Sequence, residues 1–323
     1  MTKWKEETVE IGLLTDGVGH LSRGAALDFA ADLGLTRVEF AAGNWSTAPH
    51  LDLDALLGSA AERLRLEREL RERGLGLSAL NASGNQLHPS EGDRNDALVR
   101  KTIRLAGELG IDTVVLMSGL PGAPGDSMPN WITASWPPET TRILEHQWKA
   151  VAIPYWHDLV AFAGQCGVSK LAVEMHANQL VYNVPALLQL RNEVGPVVGA
   201  NFDPSHLFWM DADPLSAIEA LTGVIHHVHA KDTRIEDRRN VRSRLDTLTV
   251  DHIAERSWNF VTVGRGHDGH FWSAFMEGLR AAGYDGTLSI EHEDYSVEPE
   301  EGIAEAANVL QDALAAVEAV KTA

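Results

Sequence analysis

The chain has 323 residues, 44% hydrophobic and 23% charged, a balance that supplies a large core without the apolar excess of a membrane protein. Acidic residues outnumber basic ones 46 to 27, and the resulting net charge of −19 repels a phosphate backbone, which argues against nucleic acid as a partner. No apolar run approaches the ~20 residues needed to span a bilayer, and with Cys166 as the only cysteine no intrachain disulfide can form.

The first seven residues, Met1 to Glu7, lack the apolar region and cleavage site of an export signal, so a cytoplasmic protein is expected. Eight short β-branched or apolar runs then alternate with helical patterns. The runs predict strands at 9–15, 36–41, 76–82, 113–119, 170–176, 198–204, 225–232 and 287–294. Helices are expected near 22–33, 54–73, 92–109, 141–166, 184–193, 214–221, 270–282 and 299–320. Ser22 and Asp213-Pro214 supply helix starts, and Gly34, Gly110, Gly167 and Gly283 stand where left-handed C-terminal caps want glycine. Pro154 removes a backbone donor inside the fourth helix and predicts a kink or restart near Ile153. Cys166 sits in an apolar helical stretch and reads as a buried structural thiol. Eight βα units without a composition shift predict one (β/α)8 TIM barrel over residues 1–323.

Two stretches exceed a minimal barrel. Residues 120–140 hold five prolines and two tryptophans, and 233–268 form a long polar insertion. Both follow strand C-termini, the face where barrel enzymes keep their active sites. Within the insertion, the arginine-rich segment 234–244 is a candidate for a small anionic partner.

The fifth to eighth strands each end in a carboxylate or imidazole: Glu174, Asp203, His229 and Glu291. Each alone is well explained as a strand-end polar group satisfied by hydrogen bonds or ion pairs. Four on consecutive strands at one face point instead to a shared cation, because an unpaired buried carboxylate costs several kcal/mol. Three carboxylates and one imidazole form a hard, oxygen-rich set suited to one divalent ion, manganese first and magnesium or cobalt next.

The segments VEMH, NFDPSH, HVHAKD and SIEHED resemble the metal-binding strands of the xylose isomerase-like superfamily of sugar isomerases, epimerases, dehydratases and endonucleases. The resemblance implies that Glu174, Asp203, His229 and Glu291 are ligands, and that His206 touches substrate or a metal-bound water. In sugar epimerases of this type it further implies that Glu174 and Glu291 act as acid and base. The wider pattern, with WPPE, EHQW, NFDPSHLFW, HVHAKDTR and VGRGHD, looks most like the large subunit of C-glycoside deglycosidases. That likeness implies a carbon–carbon lyase on 3-oxo-C-glycosides, with His146 abstracting the proton next to the ketone and the aglycone leaving by β-elimination. It also implies a small β-rich partner chain, and an oligomer is expected. A ketose or inosose epimerase or isomerase is the alternative, and a non-catalytic binding subunit a third reading.

His146 lies off the apolar stripe of its helix, where it faces the cleft or solvent, and the ordinary imidazole pKa near ~6.5 suits a general base. His88 after the third strand either contacts substrate or makes a structural loop hydrogen bond. Lys231 and Asp232 follow His229 closely enough to orient ligands, or form a structural pair. Arg265, with His267, either closes over the substrate or marks a tight turn between glycines. Trp131 and Trp136 either stack on a sugar or aglycone, or pack the loop or a subunit contact.

Overall fold

The computed structural model describes residues 9–322. The N-terminal segment read for an export signal lies outside them. Eight parallel strands close a barrel: β1 Glu10–Leu14, β2 Arg37–Ala41, β3 Gly76–Asn81, β4 Thr113–Met117, β5 Lys170–Glu174, β6 Val198–Phe202, β7 Ile225–Ala230 and, after a two-stranded insertion (β8 Asp232–Ile235 and β9 Trp258–Val261), β10 Thr287–Ile290. Their order around the barrel is β1-β10-β7-β6-β5-β4-β3-β2. Apolar and β-branched runs form these strands because both faces are covered: β4 and β6 are buried along their whole length. Ala79, Val115 and Ala172 form a small cluster of their own, apart from the main core. That core, with Trp156, Trp272 and Phe275 among its fully buried side chains, occupies the layer between strands and helices.

Helix boundaries follow the expected chemistry. Ser22 Oγ accepts from Ala25 N, and Asp213 accepts from the Leu215 and Ser216 amides. Gly34, Gly110, Gly167 and Gly283 take φ of 73°, 70°, 82° and 83°, the left-handed region in which a side chain is costly. The interruption expected at Pro154 is present: a π-helical segment, Gln147–Ala152, precedes the helix Ile153–Gln165. Cys166, expected to be buried, is half-exposed at that helix's C-terminus because only one side of the helix faces the core.

The strands at 198–204 and 287–294 stop earlier than their apolar runs. Asp203 instead caps the helix Pro204–Trp209, which the sequence reading missed, and Glu291 already lies in a loop. The insertion after β7 is not irregular: β8 Asp232–Ile235 and β9 Trp258–Val261 pair antiparallel, with Asp232 opposite Val261. Trp258 of this hairpin stacks on Trp209 at 4.8 Å and 7°. The arginine-rich segment is partly neutralised within the chain, since Arg234 pairs with Glu236, Arg242 with Asp246 and Arg244 with Asp211.

The other long loop is tied at its root. Gln147, fully buried, donates its Nε2 to the carbonyls of Pro121 at 2.8 Å and Asn130 at 2.6 Å. Trp131 packs edge-on against Tyr182 at 5.6 Å. No helix among the described residues is long and apolar enough to cross a membrane.

Candidate active site

The C-terminal ends of the strands bring together what the sequence spaces far apart. Glu174 closes β5, Asp203 follows β6, His229 lies in β7 and Glu291 follows β10, and one ligand atom from each lies within 4.8 Å of the others. His229 Nδ1 is 3.0 Å from Glu291 Oε2 and 3.4 Å from Glu174 Oε2. Asn201 Nδ2 donates to Glu174 Oε2 at 2.9 Å. Asp203 Oδ1 is used by its own helix, accepting from Ser205 N at 2.8 Å.

The other carboxylate oxygens distinguish this cluster from a set of mutual hydrogen bonds. Asp203 Oδ2 and Glu291 Oε2 are buried and make no hydrogen bond, although Oδ2 lies 3.3 Å from His206 Nε2 and Oε2 lies 3.0 Å from His229 Nδ1 and 3.5 Å from Lys231 Nζ. Buried carboxylate oxygens with no hydrogen bond are atoms a cation would satisfy, so the residues fit a metal ion. Two further donor sets, Glu174-His176-His206 and Glu39-His227-His229, adjoin the first and share Glu174 and His229 with it.

Charge in the cluster is heavily compensated. Burial opposes ionisation of Glu174, but hydrogen bonds with His206 and His229 outweigh it and hold the carboxyl well below its usual range. Burial pushes Glu291 up. For His206, burial opposes the charged ring, yet Asp203 and Glu174 hold its pKa at about 9. Burial and the neighbouring His206 push His176 down to about 4; the two rings lie 4.1 Å apart. Lys231 is 4% exposed, 2.5 Å from Glu293 and 3.5 Å from Glu291, with its ammonium 4.3 Å above the Phe260 ring.

These shifts fix a pH dependence for the metal-free protein. The folded pKa of His206 stands above the ordinary imidazole value, so its contribution to stability is complete below about 6.5 and is lost as pH rises through about 9. The urea midpoint of chelator-treated protein should therefore fall between pH 6.5 and 9, and His206→Asn should flatten that fall; an unchanged slope in the variant would remove His206 as its source.

Other sequence candidates fall elsewhere. Arg265 is held away from the cluster by a paired contact with Glu305, 2.6 Å at its closest. His267 Nδ1 donates to Asp232 Oδ1 at 2.7 Å, and its ring stacks on Phe208 at 3.7 Å. Asp232 does not pair with Lys231; its carboxylate accepts the Gly264, Gly266 and His267 amides and clasps the loop following β9. His88 takes the structural alternative, its Nδ1 accepting from the Ser90 and Glu91 amides. His146 is half-buried, and its side chain makes no hydrogen bond or ion pair. Trp136 is 77% exposed.

Above the cluster lies a cavity of about 180 Å³ lined by Asp16, Trp45, Asn81, His176, Lys231 and Glu293 together with Glu174 and Glu291. Its aromatic wall is Trp45, which the sequence reading passed over. Trp45 is 55% exposed, lies 5.8 Å from the His176 ring and follows Asn44 in a left-handed turn that aims it at the mouth. The signal was a tryptophan two residues after a glycine at a strand C-terminus.

A closed parallel barrel carrying this donor set at its C-terminal mouth places the chain by architecture, and the chain belongs to the xylose isomerase-like TIM barrel family, whose model matches residues 27–313. The uncharacterized protein YfiH of Bacillus subtilis (strain 168) is 47% identical over 311 residues, covering 95% of this chain and 99% of that protein. A D-tagatose 3-epimerase-like protein shares the fold with a TM-score of 0.65 at 19% identity, over 98% of this chain and 100% of that one. The IOLI protein, solved with a bound zinc atom, does so with a TM-score of 0.67 at 17% identity, over 96% and 99%.

Proposed function

We propose that this protein is a divalent-metal-dependent sugar epimerase or isomerase that moves a proton at the carbon beside a ketose or inosose carbonyl. The observation that carries this reading is the placement of Glu174 at the end of β5 and Glu291 just past β10, strands three apart around the closed barrel, so that both converge on one point beneath a small polar cavity. Glu174, Asp203, His229 and Glu291 would hold the ion, manganese first, with magnesium or cobalt as alternatives. A divalent cation there supplies Lewis acidity toward adjacent carbonyl and hydroxyl oxygens. Glu174 and Glu291, which both line the cavity, would exchange the proton with the sugar, one removing it and the other returning it. Lys231, which lines the cavity, contributes N–H donors for substrate oxygens, while His206 holds Glu174, and the buried setting limits competing solvent.

The 3-epimerase-like fold neighbour supports this kind of chemistry. The deglycosidase reading suggested by the longer motifs draws no such support, and it requires His146 as base, which does not line the cavity. Incubation of manganese-loaded protein with a panel of ketoses and inososes in deuterated water tests the choice. Substrate-sized products carrying one deuterium beside the carbonyl are expected. No exchange with any member would overturn the reading, and release of an aglycone from a 3-oxo-C-glucoside would replace it with the lyase.

Trp45 offers its face to the apolar side of a sugar ring. Trp45→Ala should raise KM about 3- to 10-fold with kcat little changed, the size of a lost aromatic contact of ~0.5–1.5 kcal/mol. An unaltered KM would exclude stacking at this wall.

A further inference from the structure

Beneath the cluster, the carboxylate of Glu39 is fully buried in β2, between Val38 and Phe40, which are equally buried. Such a charge costs several kcal/mol unless paired, and an apolar residue would serve the strand at no such cost. Three side chains converge on it. His227 Nε2 lies 2.8 Å from Oε2, Asn81 Nδ2 donates to Oε1 at 3.0 Å, and His229 Nε2 lies 3.2 Å from both oxygens. The contact crosses the barrel, for β2 and β7 are separated by β1 and β10.

The two nitrogens of His229 therefore face different chemistry. Nδ1 faces Glu174 and Glu291, while Nε2 faces Glu39. Asn201 Nδ2, which donates to Glu174 Oε2, lies 3.1 Å from Nδ1. A neutral ring with its lone pair on Nδ1 must carry its proton on Nε2.

We propose that Glu39 is a positioning residue for the metal site: it accepts the Nε2 proton of His229 and so fixes the tautomer and ring orientation that present Nδ1 to a divalent ion. His227 and Asn81 hold Glu39 in place for that task. The inference rests on the metal reading given under Proposed function. Glu39 touches neither the cavity nor the four converging ligand atoms on the side where a substrate would bind. Its influence on the four ligand atoms passes through His229.

Manganese binding to chelator-stripped protein, followed by the EPR signal of the free ion, separates the two claims. Wild-type protein without a manganese site would overturn the metal reading itself. With wild-type binding established, Glu39→Gln, folded by circular dichroism, should bind manganese about 10- to 100-fold more weakly, the usual loss when a ligand histidine loses its outer carboxylate. Glu39→Asp should recover part of that loss. In zinc-loaded, 15N-histidine-labelled protein, the Nε2–H signal of His229, assigned with His229→Asn, should be protected in wild type and lost in Glu39→Leu. Affinity within twofold of wild type in Glu39→Gln, or an unchanged Nε2–H signal in Glu39→Leu, would overturn the proposal. Should the Glu39 variants fail to fold, His227→Asn gives the same reading through Glu39: a several-fold weaker manganese constant is expected, and an unchanged one refutes the role.

Discussion

Glu291→Gln should strip both metal and turnover from the protein, with kcat/KM for isotope exchange falling by roughly 10³-fold, within the range for removing a positioned acid–base group. Glu291 Oε2 is buried, makes no hydrogen bond, and lies 3.0 Å from His229 Nδ1 and 3.5 Å from Lys231 Nζ. Glutamine keeps the shape but removes the charge, and one of its two orientations turns an N–H toward those same nitrogens. Elemental analysis after dialysis measures the metal, and deuterium wash-in measures the chemistry. A variant retaining full manganese and full exchange would leave Glu291 with neither role.

Lys231→Met should produce the largest change in stability. Its ammonium is nearly inaccessible and sits between Glu291 and Glu293, so its removal leaves Glu293 without its ion-pair partner and Glu291 with His229 alone. Removing one partner of a buried pair costs about 3–5 kcal/mol, and the partial exposure of Glu293, 38%, brings the expected loss to about 2–3 kcal/mol in metal-free protein. Manganese should restore part of it, because a bound dication takes over the compensation of Glu291. Urea unfolding with chelator and with manganese gives both numbers. Equal losses in the two conditions would show that Lys231 and the metal site are electrically independent.

The fold was legible because the barrel repeats one simple rule eight times, an apolar run short enough for a strand and then a period near 3.6, with glycines such as Gly34, Gly110, Gly167 and Gly283 stopping the helices between. Glu174, Asp203, His229 and Glu291 were legible for a related reason, since a polar residue ending an apolar strand stands out. Glu39 breaks the same rule yet passed unnoticed, because it stands within its strand and its partners His227 and His229 are nearly two hundred residues away. The hairpin of β8 and β9 was hidden by arginines and aspartates, whose polarity masked two four-residue strands held by Trp209 and Trp258. Arg265 was drawn toward the site by its place in a glycine turn near the barrel mouth, but Glu305 on the helix Pro299–Thr322 claims it. His146 shows the same limit: a stripe tells which residues leave the core, not where they go.

Gln147 has a consequence for how such a mouth diversifies. Its two hydrogen bonds pin Pro121 and Asn130, leaving the stretch from 132 to 136, with its exposed Trp136, outside the anchored segment. Residues can be exchanged, inserted or deleted there without disturbing either bond or the barrel beneath. The loop thus divides into a part held to the barrel and a part whose length and side chains the barrel does not constrain.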